Sequence, residues 1–138
     1  MSNSDQKIGT ADQATGSLDL DHALRVLLAE TIKTCPKKRQ QVAEELSALV
    51  GRSISEAMLN SYTADSKEAH RFPAAWIPAF CVVTGDSRLI EIIASRCGMT
   101  LVSERGLRLI EFAEAILEKE RGERKAEAAR TLLAGDRA

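Results

Sequence analysis

"VAEELSALVGRSISEAMLNSYT", residues 42–63, is the stretch on which the fold turns. Val42, Ala43, Leu46, Leu49 and Val50 recur at three- and four-residue spacing, the period of a helix with one buried side. Gly51 closes that helix as a residue free to adopt positive φ. Ser53 and Glu56 then fit the S-x-x-E capping box, in which each side chain satisfies an otherwise unpaired amide at a helix start. A short second helix is expected over 54–63. At about 100° per residue, Ile54, Ala57, Met58, Ser61 and Tyr62 share one face of it. Ser53, Glu56, Asn60 and Thr63 take the other, with Leu59 at the boundary.

Upstream, Asp19 or Asp21 can cap a helix over 21–34 that has Leu24, Leu27, Leu28 and Ile32 along one side. Pro36 suits the first turn of the next helix, which is expected to open there. Downstream, Pro73 and Pro78 exclude one unbroken helix, because an interior proline forfeits a hydrogen bond. A turn at 73–76 and a helix over 78–84 ended by Gly85 follow, with Phe72 and Trp76 read as core. Asp86 or Ser87 caps "SRLIEIIASRC", which Gly98 ends. After a short extended link, "MTLVS", a long amphipathic helix is expected over 104–134, with Gly122 as the point where it can break.

Helix is the default throughout, since Ala, Leu, Glu and Arg are common and aromatic residues make up only 4%. The expected class is all-α. Residues 1–18 are polar and aperiodic and read as a disordered tail. Three cysteines, Cys35, Cys81 and Cys97, have unrelated spacings, and His22 and His70 complete no zinc pattern beside them. Buried free thiols are the expectation, with no metal and no cofactor. No phosphate-binding loop, H-E-x-x-H or glycine-rich dinucleotide fingerprint occurs, so no catalytic residue is assigned. No apolar run approaches the ~18 residues of a membrane span, and the N-terminus lacks the basic-then-apolar order of a secretory signal. A cytoplasmic protein without a membrane partner is expected.

Net charge is −1, but its distribution is uneven. Residues 1–31 hold two bases against five acids, residues 32–71 seven against five, and residues 72–138 ten of each. The positive excess surrounds the helix pair on either side of Gly51. Such a pair is a helix–turn–helix candidate. A short helix with one face buried can lay the other in a DNA major groove, about 12 Å wide, while flanking cations neutralise phosphates. The expected base-edge residues are Ser53, Ser55, Asn60 and Thr63. The expected phosphate contacts are Lys37, Lys38, Arg52, Lys67 and Arg71.

The order "VAEELSALVGRSISEAMLNSYT…FPAAWIPAFCVVTGDSRLIEIIA" resembles the lambda-repressor-like helix-turn-helix regulators of phages and prophages, over residues 36–97. Val42-Ala43 looks like the small pair where the first motif helix meets the second, and "SISEAMLNSYT" like the recognition helix. "IPAFCVVTGDSRLIEIIA" looks like the two supporting helices. The resemblance implies a recognition helix that reads operator DNA and a dimer that binds palindromic sites. Gly51 stands eight residues after Ala43, further than the family's usual spacing, so the turn is longer than typical. Glu56 lies on the expected DNA-facing side, where capping the helix accounts for it.

Three regions result: the tail, a helix-turn-helix domain over 19–98, and a C-terminal helix over 99–138. Leu107, Ile110, Ala113, Ile116 and Leu117 form a stripe on that last helix and are the expected oligomerisation residues, a homo-oligomer suiting a reader of paired half-sites. The expected partner is double-stranded DNA and the expected role that of a sequence-specific transcriptional regulator. A helical protein–protein interaction module without nucleic acid is the alternative.

Overall fold

The computed structural model describes residues 13–67 and 69–136. Of the expected tail, residues 1–12 lie outside the described residues, and 13–18 run through a turn closed by the Ser17 and Asp19 amides donating to the Ala14 and Gly16 carbonyls. The described residues are all-helical and hold no strand. The six helices are α1 (Asp21–Thr34), α2 (Arg39–Val50), α3 (Glu56–Thr63), α4 (Ile77–Thr84), α5 (Arg88–Arg96) and α6 (Glu104–Gly135). Short 3₁₀ turns occupy Asp65–Lys67 and Ala74–Trp76. The chain divides into two compact units after Thr100.

In the first unit α1 packs on α3 and α5, α2 on α3 and α4, and α4 on α5. The core is Leu28 and Ile32 of α1 and Val42, Ala43 and Leu46 of α2, which periodicity places inward, together with Ile54, Leu59 of α3, and Phe80, Val83 and Leu89 beyond. Phe80 and Leu46 are fully enclosed, at 0% exposure. Tyr62, Phe72, Trp76 and Phe80 meet edge-on, with ring centroids 5.4–5.9 Å apart, and so join the end of α3 to α4. Phe72 and Trp76 therefore belong to the packed interior and its margin.

Several expected details shift, each for a local reason. α2 opens at Arg39 rather than at Pro36. In one continuous helix Lys37 and Glu45 would stand about 12 Å apart along the axis. With residue 37 outside the helix, the Lys37 ammonium instead reaches the Glu45 carboxylate at 2.8 Å and the Val83 carbonyl at 2.8 Å. α3 opens at Glu56, and its cap is Ser55, whose Oγ accepts from the Met58 amide at 3.1 Å, so Ser53 is not the cap. The Ser47 hydroxyl explains the delay. It accepts from the Ile54 amide at 2.9 Å and shares its hydrogen between the Ala43 carbonyl at 2.7 Å and the Ile54 carbonyl at 3.0 Å, which ties residue 54 to α2 and holds it outside α3. Ile54 is buried from that loop, and Leu59, expected at the boundary, is the most enclosed residue of α3, at 1%. Ala57 is exposed instead. Gly51 does close α2, at φ 74°, where a side chain would be strained.

Considered by itself, the second unit is the single helix α6, capped by the Ser103 hydroxyl accepting from the Gly106 amide. It runs unbroken through Gly122. Ion pairs Lys119–Glu123 and Glu120–Arg124, at i,i+4 spacing, span that glycine. No helix of the described residues is long and apolar enough to cross a membrane.

Candidate nucleic-acid interface

The corner between α2 and α3 is built from two hydroxyls and one glycine. Ser47 fastens Ile54, Ser55 caps α3, and Gly51 turns the chain between them. The result is a five-residue connection, 51–55, with Arg52, Ser53 and Ser55 exposed. Ser55, Glu56, Ala57 and Asn60 form the exposed side of α3. Glu56 sits in its first turn, where the positive end of the helix dipole favours an acid.

The expected site residues separate by what already holds them. Asn60 accepts, through Oδ1, a hydrogen bond from Arg39 Nη1 in the first turn of α2. Arg39 was not among the expected contacts. Its position in the run Lys37-Lys38-Arg39 was the available signal, but nothing in the sequence says which of the three reaches α3. Lys38 is exposed just ahead of α2, and Arg52 is exposed in the turn. Lys37 differs from both, because its ammonium closes the end of α4 and pairs with Glu45. Arg71 lies away from the α2–α3 corner: its Nε donates to Asp21 Oδ1 at 3.1 Å, and both residues line a cavity of about 110 Å³ against α1. The Lys67 side chain lies outside the described residues. The Thr63 hydroxyl donates back to the Leu59 and Asn60 carbonyls within α3's last turn.

The inner end of α3 is held by Arg25, a residue that gave no sign of importance in the sequence. It is 5% exposed, and its Nη1 donates to the carbonyls of Ser61 (3.4 Å), Tyr62 (3.2 Å) and Ala64 (3.0 Å). These carbonyls lie at or just past the C-terminal end of a helix, where partners within the helix run out and the dipole favours a cation. Arg25 was legible only as one charge on the otherwise apolar side of α1.

Farther from the corner, Arg88 forks onto Asp86, with nitrogen–oxygen distances of 2.8–3.1 Å, and reaches Glu30 of α1 at 3.6 Å. The Arg88 hydrogen bond holds the Asp86 carboxyl below the usual carboxylate range, and the carboxylate raises the guanidinium in turn. Burial pushes the Cys81 thiol up. Cys35 and Cys81 are half-buried, whereas Cys97 is exposed in the turn after α5, contrary to the expectation of three buried thiols. Among the described residues no group of three or more His, Cys, Asp or Glu could hold a metal ion. No family model, curated protein or solved structure matches the chain.

α6 carries the expected stripe, and more. Leu107, Ile110, Ala113, Ile116 and Leu117 are exposed, and so are Leu109 and Phe112 outside it.

Proposed function

We propose that the chain is a sequence-specific, double-stranded DNA-binding regulator of the lambda-repressor-like kind. α3 is the helix presented to the major groove, and α6 is the element that joins copies. One observation carries the reading: α3 turns small polar side chains outward beside the cations at the start of α2, and Arg39 and Asn60 are hydrogen-bonded across that corner. An eight-residue helix with its inner face in the core and its outer face free of bulky residues fits a groove that admits one helix. Ser55, Asn60 and Ser53 are the base-edge residues in this reading, and Lys38, Arg39 and Arg52 the phosphate contacts. The reading needs no catalytic group and no cofactor.

The test is retention of fragments from a mixed genomic DNA pool at ~50 and ~200 mM salt, the range over which phosphate contacts show strongly. The wild type should retain a discrete sequence at the lower salt and lose it at the higher. Lys38→Ala should weaken binding to all sequences and lower the salt slope by about 1, whereas Asn60→Ala should relax sequence choice. A folded chain that retains nothing at either salt overturns the reading. An open groove beside the corner, lined by Leu49, Val50, Pro73, Trp76, Pro78 and Val82, favours a protein-binding module as the second reading. Leu49 and Val82 there are 57% and 72% exposed. Leu49→Glu would abolish that activity while leaving DNA retention unchanged.

A further inference from the structure

The first half of α6 is bordered by charge in an ordered way. At about 100° per residue, Phe112, Ile116, Leu109, Ala113, Leu117, Ile110 and Leu107 cover roughly 200° of the helix circumference. All are exposed. Beyond Leu117 the same arc is taken by Glu120, Arg124 and Glu127, so the apolar surface ends there. Glu118 and then Glu111 border the edge of the arc at Leu107, and Glu114 lies just inside that edge, between Ile110 and Leu107. Lys119 and then Arg108 border the other edge at Phe112, and Arg105 lies just inside it, between Phe112 and Ile116. Each edge has one sign.

An exposed apolar surface of this kind calls for a partner, and the charges say which one. When two such helices pack in parallel, one edge of each lies along the opposite edge of its neighbour, so glutamates meet arginines and lysine. When they pack antiparallel, like edges meet and repel. The helix is therefore complementary to a parallel copy of itself.

We propose that residues 105–119 of α6 pack in parallel against the same residues of a second copy of this chain. The proposal rests on the self-association part of the function proposed above and is independent of DNA binding. Parallel packing places the Ser103 caps of the copies at one end, and with them the segments that lead back to α5.

Two variants of the full chain, each with one added cysteine, test it in a Cys97→Ser background that removes the exposed thiol and leaves the half-buried Cys35 and Cys81 in place. Ile110→Cys and Leu117→Cys both fall within the arc, about two turns apart along the axis and on either side of residue 113. In a parallel assembly each variant forms its own covalent dimer under mild oxidation. In an antiparallel assembly only the mixture crosslinks, joining residue 110 of one copy to residue 117 of the other, and that result overturns the proposal. Sedimentation guards against variants that merely weaken packing. The wild-type chain should associate, and Glu114→Lys with Glu118→Lys should weaken association by about tenfold, a change of ~1.4 kcal/mol. Adding Arg105→Glu, Arg108→Glu and Lys119→Glu to the same chain should restore it. A wild-type chain that sediments as a monomer at high micromolar concentration also overturns the proposal. DNA retention is read separately: parallel association without it removes the regulator and leaves this inference standing, while DNA retention by a monomer does the reverse.

Discussion

Phe80 and Phe112 are the same residue in two helices of one chain, yet one is 0% exposed and the other 65%. The difference lies in what surrounds them. Phe80 meets Phe72 edge-on and shares a core with Leu46, Leu59 and Leu89, brought together from helices well separated in sequence. Phe112 lies on a helix that is alone in its unit, with no second element there to cover it. Periodic apolar residues announce that a face needs covering, and only tertiary structure says what covers it. In the first unit the cover is the rest of the bundle. For α6 the cover proposed above is a second copy of the chain.

The sharpest way to break this contrast is to truncate both phenylalanines. Phe80→Ala should cost about 3–5 kcal/mol in urea denaturation followed by the fluorescence of the single tryptophan, Trp76. Phe112→Ala should move that transition by less than about 0.5 kcal/mol, as for other exposed positions. Comparable costs at the two sites would end the comparison. Arg25→Met should be the next largest effect, about 2 kcal/mol, because it strips a charged donor from partly buried carbonyls. Arg25→Lys should recover only part, since an ammonium lacks the planar fork. On the other side of the contrast, Gly122→Ala should stabilise α6 by about 1 kcal/mol. Far-UV helicity would rise while the Trp76 transition stays in place.

The smallest effect is acidic. Arg88 depresses the folded-state pKa of Asp86, so the associated stability is present above the unfolded value, about 3.9, and is lost as pH falls through the folded one. Asp86→Asn should remove under about 1 kcal/mol of it, because the pair is only partly shielded from solvent. The urea midpoints of wild type and variant should then converge in strong acid. A gap that stays constant with pH would assign the effect to packing.

How much of this was legible depended on whether the signal was local. α1 falls at 21–34, as the aspartates at its start and the stripe of Leu24, Leu27, Leu28 and Ile32 predict, and α6 follows its period, because a repeating stripe along one helix is a local pattern. The turn at Gly51 was equally legible, since few residues tolerate positive φ. The start of α3 was not. Ser53 with Glu56 fits the capping box better than Ser55 with Met58 does, yet Ser47, six residues before Ser53, holds Ile54 out of the helix and leaves Ser55 as the cap. The same holds for the candidate site. Lys37, Lys38 and Arg39 are interchangeable on paper, yet one closes α4, one stays exposed and one reaches Asn60. Separations of 46 and 21 residues along the chain hide those partners from any periodicity.

The hold that Arg25 keeps on α3 has a consequence for how this surface could change. Its acceptors at Ser61, Tyr62 and Ala64 are backbone carbonyls, which every amino acid supplies alike. The outward positions 55, 56, 57 and 60 take no part in that attachment. With a capping residue kept at 55, a different set of side chains at 56, 57 and 60 would sit on the same mounting, so the chain could acquire a new target by rewriting a few codons while the fold stays as it is.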